Sequence, residues 1–225
     1  MIVTKQKKIE EILGFLGPYK KILVVGCDGC TQPPRSTREA DTLALLVEMG
    51  SKVGGAAKKC SATTVVKQCD NQIVASALNP QIVGYDAILS LACGIGVQVL
   101  AEILPVPVYP AQDTMFMGSQ ERELGTMDER CKGCGECVLY RTAGVCPVTR
   151  CAKGLMNGPC GGCFKGKCEV TEESRDEKGN VKILTHDCAW YQIYEGLKKM
   201  NRLDLFRTYT PPKSRLISTP PRQVR

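Results

Sequence analysis

A chain of 225 residues with 43% hydrophobic content can bury one good core and a small second one, which excludes disorder as its dominant state. Fourteen cysteines against a single histidine restrict the chemistry further: thiolates, not imidazoles, must carry any metal. The net charge of +7 is localised, because residues 196–225 hold eight Lys and Arg against Asp204 alone and the rest of the chain is formally neutral.

Lys5, Lys7 and Lys8 interrupt the opening, so no apolar stretch of a secretory leader is present there and a cytoplasmic location is expected. In that reducing compartment clustered cysteines act as ligands or redox groups more often than as disulfides. Ile9, Ile12, Leu13 and Leu16 recur at helical spacing and stop at Gly17-Pro18, after which residues 22–26 read as a strand. Ser36 and Glu39 form a capping-box pattern ahead of a second helix, whose stripe of Ala40, Leu43, Leu46 and Val47 ends at Gly50. β-Branched residues 63–66 predict another strand, and Asp70 caps a helix carrying Ile73, Val74, Ala77 and Leu78. A buried-type strand at 87–92, a helix over 94–104 and a strand at 106–109 complete the alternation. This longest apolar region is broken by Gln98, Glu102, Pro105 and Pro107 and is not read as a membrane span. The pattern predicts an α/β fold with a Rossmann-like or flavodoxin-like parallel sheet over residues 1–112.

Three cysteines follow three of these strands: Cys27, Cys69 and Cys93. Parallel strands bring such positions to one edge, where open α/β sheets bind their ligands. Cys30 joins them through Cys27-Asp28-Gly29-Cys30, a turn whose glycine lets backbone wrap closely around a metal or cluster. Cys60 precedes its strand and is read as a small buried hydrophobe. Gly94-Ile95-Gly96 lacks the third glycine of a dinucleotide fingerprint and is read as close packing.

Past Gln112 the alternation stops, and nine cysteines appear among many glycines, too few apolar residues to build a large core. Residues 113–200 are therefore expected to fold as a cysteine-rich, cluster-ligated module in which ligand bonds replace apolar burial. Cys131, Cys134 and Cys137 form C-x2-C-x2-C, followed by Cys146-Pro147, a spacing that points to a [4Fe-4S] cluster, with zinc as the alternative. Cys151, Cys160, Cys168 and Cys188 supply further candidate ligands, and Cys163 is left over with Cys60. Twelve candidates set a ceiling of three clusters, with at least one in each half. Trp190, Tyr191, Ile193, Tyr194 and Leu197 form a helix face that closes the core over this module. His186 is read as a surface or structural residue, and the charged run from Glu172 to Lys178 as a solvated hairpin tip. Residues 201–225, with Pro211, Pro212, Pro220 and Pro221, read as an extended basic tail that either docks along a partner protein or stays solvated. The tail lacks the interleaved aromatics of a nucleic-acid binder.

Four segments together resemble the methylenetetrahydrofolate reductase C-terminal domain family: residues 89–98 around Cys93-Gly94, the cysteine triplet with residues 146–151, residues 157–162 around Pro159-Cys160, and Cys188-Ala189-Trp190. The resemblance extends over nearly the whole chain. It implies an iron–sulfur small subunit of the type found in acetogenic and other anaerobic bacteria, in a heteromeric complex that can join a larger redox assembly. The implied partner is a flavin-containing TIM-barrel subunit that binds FMN and the folate and converts methylene-tetrahydrofolate to methyl-tetrahydrofolate. This chain is too short in its α/β half for a barrel of its own. The implied role is electron relay, with no catalytic residue here; a zinc-stabilised scaffold is the alternative.

Overall fold

The computed structural model describes residues 1–175 and 179–212, and the chain divides into two compact units, Met1–Gly118 and Ser119–Arg225. In the first, β1 (Ile2–Gln6), α1 (Ile9–Phe15), β2 (Lys21–Cys27) and β3 (Thr31–Gln32) precede α2 (Thr37–Val53), β4 (Lys59–Val65) and α3 (Asn71–Leu78). Then come β5 (Ala87–Ser90), α4 (Gly94–Ile103), β6 (Val108–Pro110) and β7 (Gln112–Glu121), which runs into the second unit. There β8 (Thr126–Cys131), α5 (Pro147–Arg150), β9 (Lys167–Arg175), β10 (Val181–Asp187) and α6 (Ala189–Lys199) follow, with short 3-10 turns at Leu139–Arg141 and Leu203–Arg207.

The expected parallel sheet is present, in the order β4-β2-β5-β6 with every pairing parallel. Strand periodicity divides its side chains between two cores. Ile22, Val24 and Leu89 join Ile12, Leu16, Leu43 and Val47 on the α1 and α2 face, whereas Leu23, Val25 and Ile88 join Val74, Leu78 and Leu100 on the α3 and α4 face. Helices therefore cover both faces, and the strand order reverses between β2 and β5, which is the flavodoxin-type order.

Local chemistry explains the helix starts. Ser36 and Glu39 close their capping box, with the Ser36 N–H donating to Glu39 at 3.0 Å, and the Asp70 carboxylate accepts from the Gln72 and Ile73 amides at 3.2 Å. Gly50 does not end α2 as its position in the stripe implied. A Cβ there would lie 2.8 Å from Leu13 Cδ1, so this glycine serves the close approach of α1, and the helix continues to Val53. Leu46 is half exposed; Ala44 takes its expected place in the buried stripe. Buried Lys58 donates from Nζ to the Leu16, Gly17 and Tyr19 carbonyls at 2.7, 3.1 and 2.7 Å, which satisfies the end of α1.

Two features differ from the sequence reading. Residues 2–6 form a strand, which pairs antiparallel with β7 and parallel with β3. Strand structure also continues past Gln112: β7 turns at residues 122–125 and returns as β8. In the second unit β9 and β10 pair as a hairpin, so Glu172, Glu173 and Arg175 lie in a strand, not at its tip; residues 176–178 fall outside the described ones. Trp190, Ile193 and Leu197 are the buried residues of the core formed on α6, while Tyr191 and Tyr194 face outward. His186 sits half exposed on β10, with Nε2 3.7 Å from the Glu172 carboxylate. Among the described residues no helix is long and apolar enough to cross a membrane. The expected tail lies outside the described residues from position 213 onward.

Cys60 belongs to β4 instead of preceding it, and packs half-buried against the α1 and α2 core. Burial, then the neighbouring Glu48 carboxylate, push its thiol from 9.0 to about 11. The folded thiol thus holds its proton more tightly than the unfolded one, a stabilisation fully present below about pH 9 and lost as pH rises toward 11. Thermal melts of the Cys60→Ala protein should therefore lose less stability between those pH values than melts of the parent; equal slopes would contradict the assignment.

Candidate functional site

Cys27 ends β2, Cys69 follows β4 on the loop before α3, and Cys93 follows β5 as the N-cap of α4. Because the three strands are parallel and in register, these positions meet at one sheet edge, and with Cys30 they line a single cavity of about 390 Å³. The cavity stands where the strand order reverses, the usual ligand position in an open α/β sheet. Cys27 and Cys93 are buried, at 7% and 6% exposure, and Cys30 and Cys69 are exposed, so the site has a sheltered floor and an open side.

Its loop is held firmly. The Cys27 N–H donates to the Arg35 carbonyl at 2.7 Å and the Asp28 N–H to the Val65 carbonyl at 3.0 Å, while the Asp28 carboxylate accepts from the Ser36 hydroxyl. The Ile2 N–H donates to the Cys30 carbonyl at 2.8 Å, so β1, which sequence reasoning missed, helps place one of the four thiols. Burial raises the Cys27 thiol, and the neighbouring Cys93 and Cys69 raise it further, against hydrogen bonds from the Gln68 and Gly29 backbone amides. A metal-free site therefore keeps Cys27 protonated; cationic metal would displace that proton.

In the second unit the triplet follows β8. Cys131 and Cys137 are exposed and Cys134 is half-buried. The Gly133 N–H donates to Cys131 Sγ at 3.3 Å, and Gly133 takes φ +60°, a left-handed turn conformation suited to glycine. Cys146 caps α5, and the Thr149 hydroxyl of that helix donates to the Arg130 carbonyl at 3.2 Å, which ties the helix to the residue before Cys131.

Cys151, Cys160, Cys163, Cys168 and Cys188 line a second, much smaller cavity of about 20 Å³ beside Trp190, whose Nε1 donates to the Leu155 carbonyl at 3.1 Å. The β9–β10 register sets Lys167 opposite Asp187 and so brings the adjoining Cys168 and Cys188 to one end of the hairpin. Cys163, left over when cysteines are counted in fours, is hydrogen-bonded with Cys188; desolvation first, then that contact, push its thiol up. Within Cys160-Gly161-Gly162-Cys163 the Gly162 N–H donates to Cys160 Sγ at 3.4 Å, and the Glu169 carboxylate accepts from the Cys160 thiol at 3.5 Å. Two of the four C-x2-C turns, at residues 131–134 and 160–163, thus aim the amide of their third residue at the sulfur of their first, an arrangement that would supply hydrogen bonds to a sulfur ligand.

Among the described residues, no three Cys, His, Asp or Glu side chains stand together as a ready site for a metal ion. A tetrahedral zinc site draws sulfurs to roughly 3.8 Å from one another, given zinc–sulfur bonds of about 2.3 Å. Four thiols spread around 390 Å³ suit a polynuclear cluster better than one ion. Gly96, on the first turn of α4, is part of the cavity wall; a Cβ there would lie 2.7 Å from Ala92 Cβ and 2.9 Å from Gln68 Cβ. Gly96→Ala should accordingly destabilise the protein by about 1–3 kcal/mol through overpacking, measured by denaturant unfolding.

Residues 109–215 match the model of the family described as methylene-tetrahydrofolate reductase C terminal. The resemblance read from the cysteine triplet, residues 146–151, residues 157–162 and Cys188-Ala189-Trp190 is borne out over that stretch; residues 89–98 lie outside it. No curated protein and no solved structure matches the chain.

Proposed function

From the match of residues 109–215 to the methylene-tetrahydrofolate reductase C-terminal family, we propose that this chain is an iron–sulfur electron-transfer subunit serving a flavin-containing reductase partner. The observation that carries the reading is the cavity at the sheet's switch point, where Cys27, Cys30, Cys69 and Cys93 converge from separate loops. A bound [4Fe-4S] cluster passes single electrons, which a flavin can collect singly or in pairs. In the first unit Cys27 and Cys93 would anchor it from the sheltered floor, and Cys30 and Cys69 from the open side. In the second unit Cys131, Cys134, Cys137 and Cys146 would hold another, with the Gly133 amide supplying a hydrogen bond to the Cys131 sulfur. The folate chemistry belongs to the partner, a TIM-barrel subunit carrying FMN. No side chain of this subunit needs to exchange a proton with the folate.

One observation favours a second reading for the last cysteine set. The 20 Å³ cavity among Cys160, Cys163, Cys168 and Cys188 holds little more than one water-sized body, which suits a single structural zinc ion instead of a third cluster.

Anaerobic purification with iron, zinc and acid-labile sulfide analysis, and EPR after reduction, tests both readings. The protein should be brown, with Cys134→Ala bleaching part of the absorbance near roughly 400 nm and Cys93→Ser removing about four irons. Colourless protein containing zinc alone would refute the electron-transfer role. Zinc retained by the parent and lost in Cys163→Ser would assign the small site to a single ion; a further set of irons lost there would assign it to a cluster.

A further inference from the structure

Beneath the first-unit thiols lies a buried polar network that the ligand set does not explain. Gln68 is fully buried. Its Nε2 donates to the Val25 and Gly26 carbonyls at 3.0 and 2.7 Å, and its Oε1 accepts from the Ser90 hydroxyl at 2.7 Å. The same hydroxyl oxygen accepts from the Ala92 N–H at 3.2 Å. Gly26, Gln68 and Ala92 are the residues immediately before Cys27, Cys69 and Cys93, so one network touches the predecessor of each strand-end cysteine. The Gln68 backbone N–H adds to it by acting on the Cys27 thiol, which it draws down against the effect of burial.

A buried amide with every hydrogen bond made costs less than an unpaired one, yet apolar residues would fill the same space without any such requirement. What the amide provides is a side-chain cross-tie among the three strand ends, added to the backbone bonds from Asp28 N–H to the Val65 carbonyl and from Leu91 N–H to the Val25 carbonyl. Gly96 leaves the room for it, since any side chain there would meet Gln68 Cβ.

We propose that Gln68 is the positioning residue of the first-unit site, fixing Cys27, Cys69 and Cys93 in one frame and holding its own amide on the Cys27 sulfur, so that it sets the reduction potential of the cluster. This inference rests on the cluster reading of that cavity. A hydrogen bond to sulfur stabilises the more negative, reduced cluster, so loosening it lowers the potential.

The test is a redox titration of the full chain, purified anaerobically and followed by EPR, with iron analysis and far-UV circular dichroism. Cys93→Ser first identifies the signal of the first-unit cluster by its loss. In Gln68→Met that signal should shift to lower potential or disappear with its iron, while the remaining signals and the circular dichroism stay as in the parent. Ser90→Ala, which removes one partner of the amide, should shift it in the same direction by less. An unmoved signal with full iron in Gln68→Met overturns the proposal. If that variant does not fold, an unmoved signal in Ser90→Ala overturns it. If Cys93→Ser loses no iron, the cluster reading itself fails, and this inference with it.

Discussion

Parallel strands in register end together, and the first unit depends on that constraint. β2, β4 and β5 share a direction, so residues that follow them in sequence, more than 60 positions apart at the extremes, arrive at the same edge. The energy that holds them there comes from the two apolar cores flanking the sheet, not from the thiols. The thiols are thereby carried by a scaffold whose apolar cores do not depend on them, and their positions inherit its rigidity.

The second unit has far less apolar burial to draw on. Its core on α6 contains Trp190, Ile193 and Leu197 as buried residues, with Phe206 edge-on to Trp190, and its turns rely on glycines with positive φ at Gly133, Gly135, Gly161 and Gly166. So little apolar burial leaves the cysteine-bearing loops with few contacts of their own, which accords with the proposal that bound metal would complete this fold.

Much of this was legible in the sequence, for identifiable reasons. Strong apolar runs and capping residues locate the strands and helices of the first unit, and their alternation is enough to bring Cys27, Cys69 and Cys93 together. β1 was not legible because its five residues contain two apolar ones and its main partner lies more than 100 positions away. Gly50 misled because a glycine that permits helix contact looks, in sequence, like one that ends a helix. Cys163 was set aside by counting ligands in fours; the pairing of β9 with β10 and the turn at Gly161 put it beside Cys188. Gln68 gave no signal, since a glutamine's worth as a cross-tie appears only when three chain segments meet around it.

The contrast between sheltered and exposed thiols around the larger cavity decides which of them is reached first from solvent. Cys27 and Cys93 form a floor closed by the sheet, and Cys30 and Cys69 stand at the rim. A cluster held as proposed would therefore enter from the rim and meet Cys30 and Cys69 before Cys27 and Cys93 below. Cys30 and Cys69 are likewise the first thiols of this cavity that oxygen or an alkylating reagent meets.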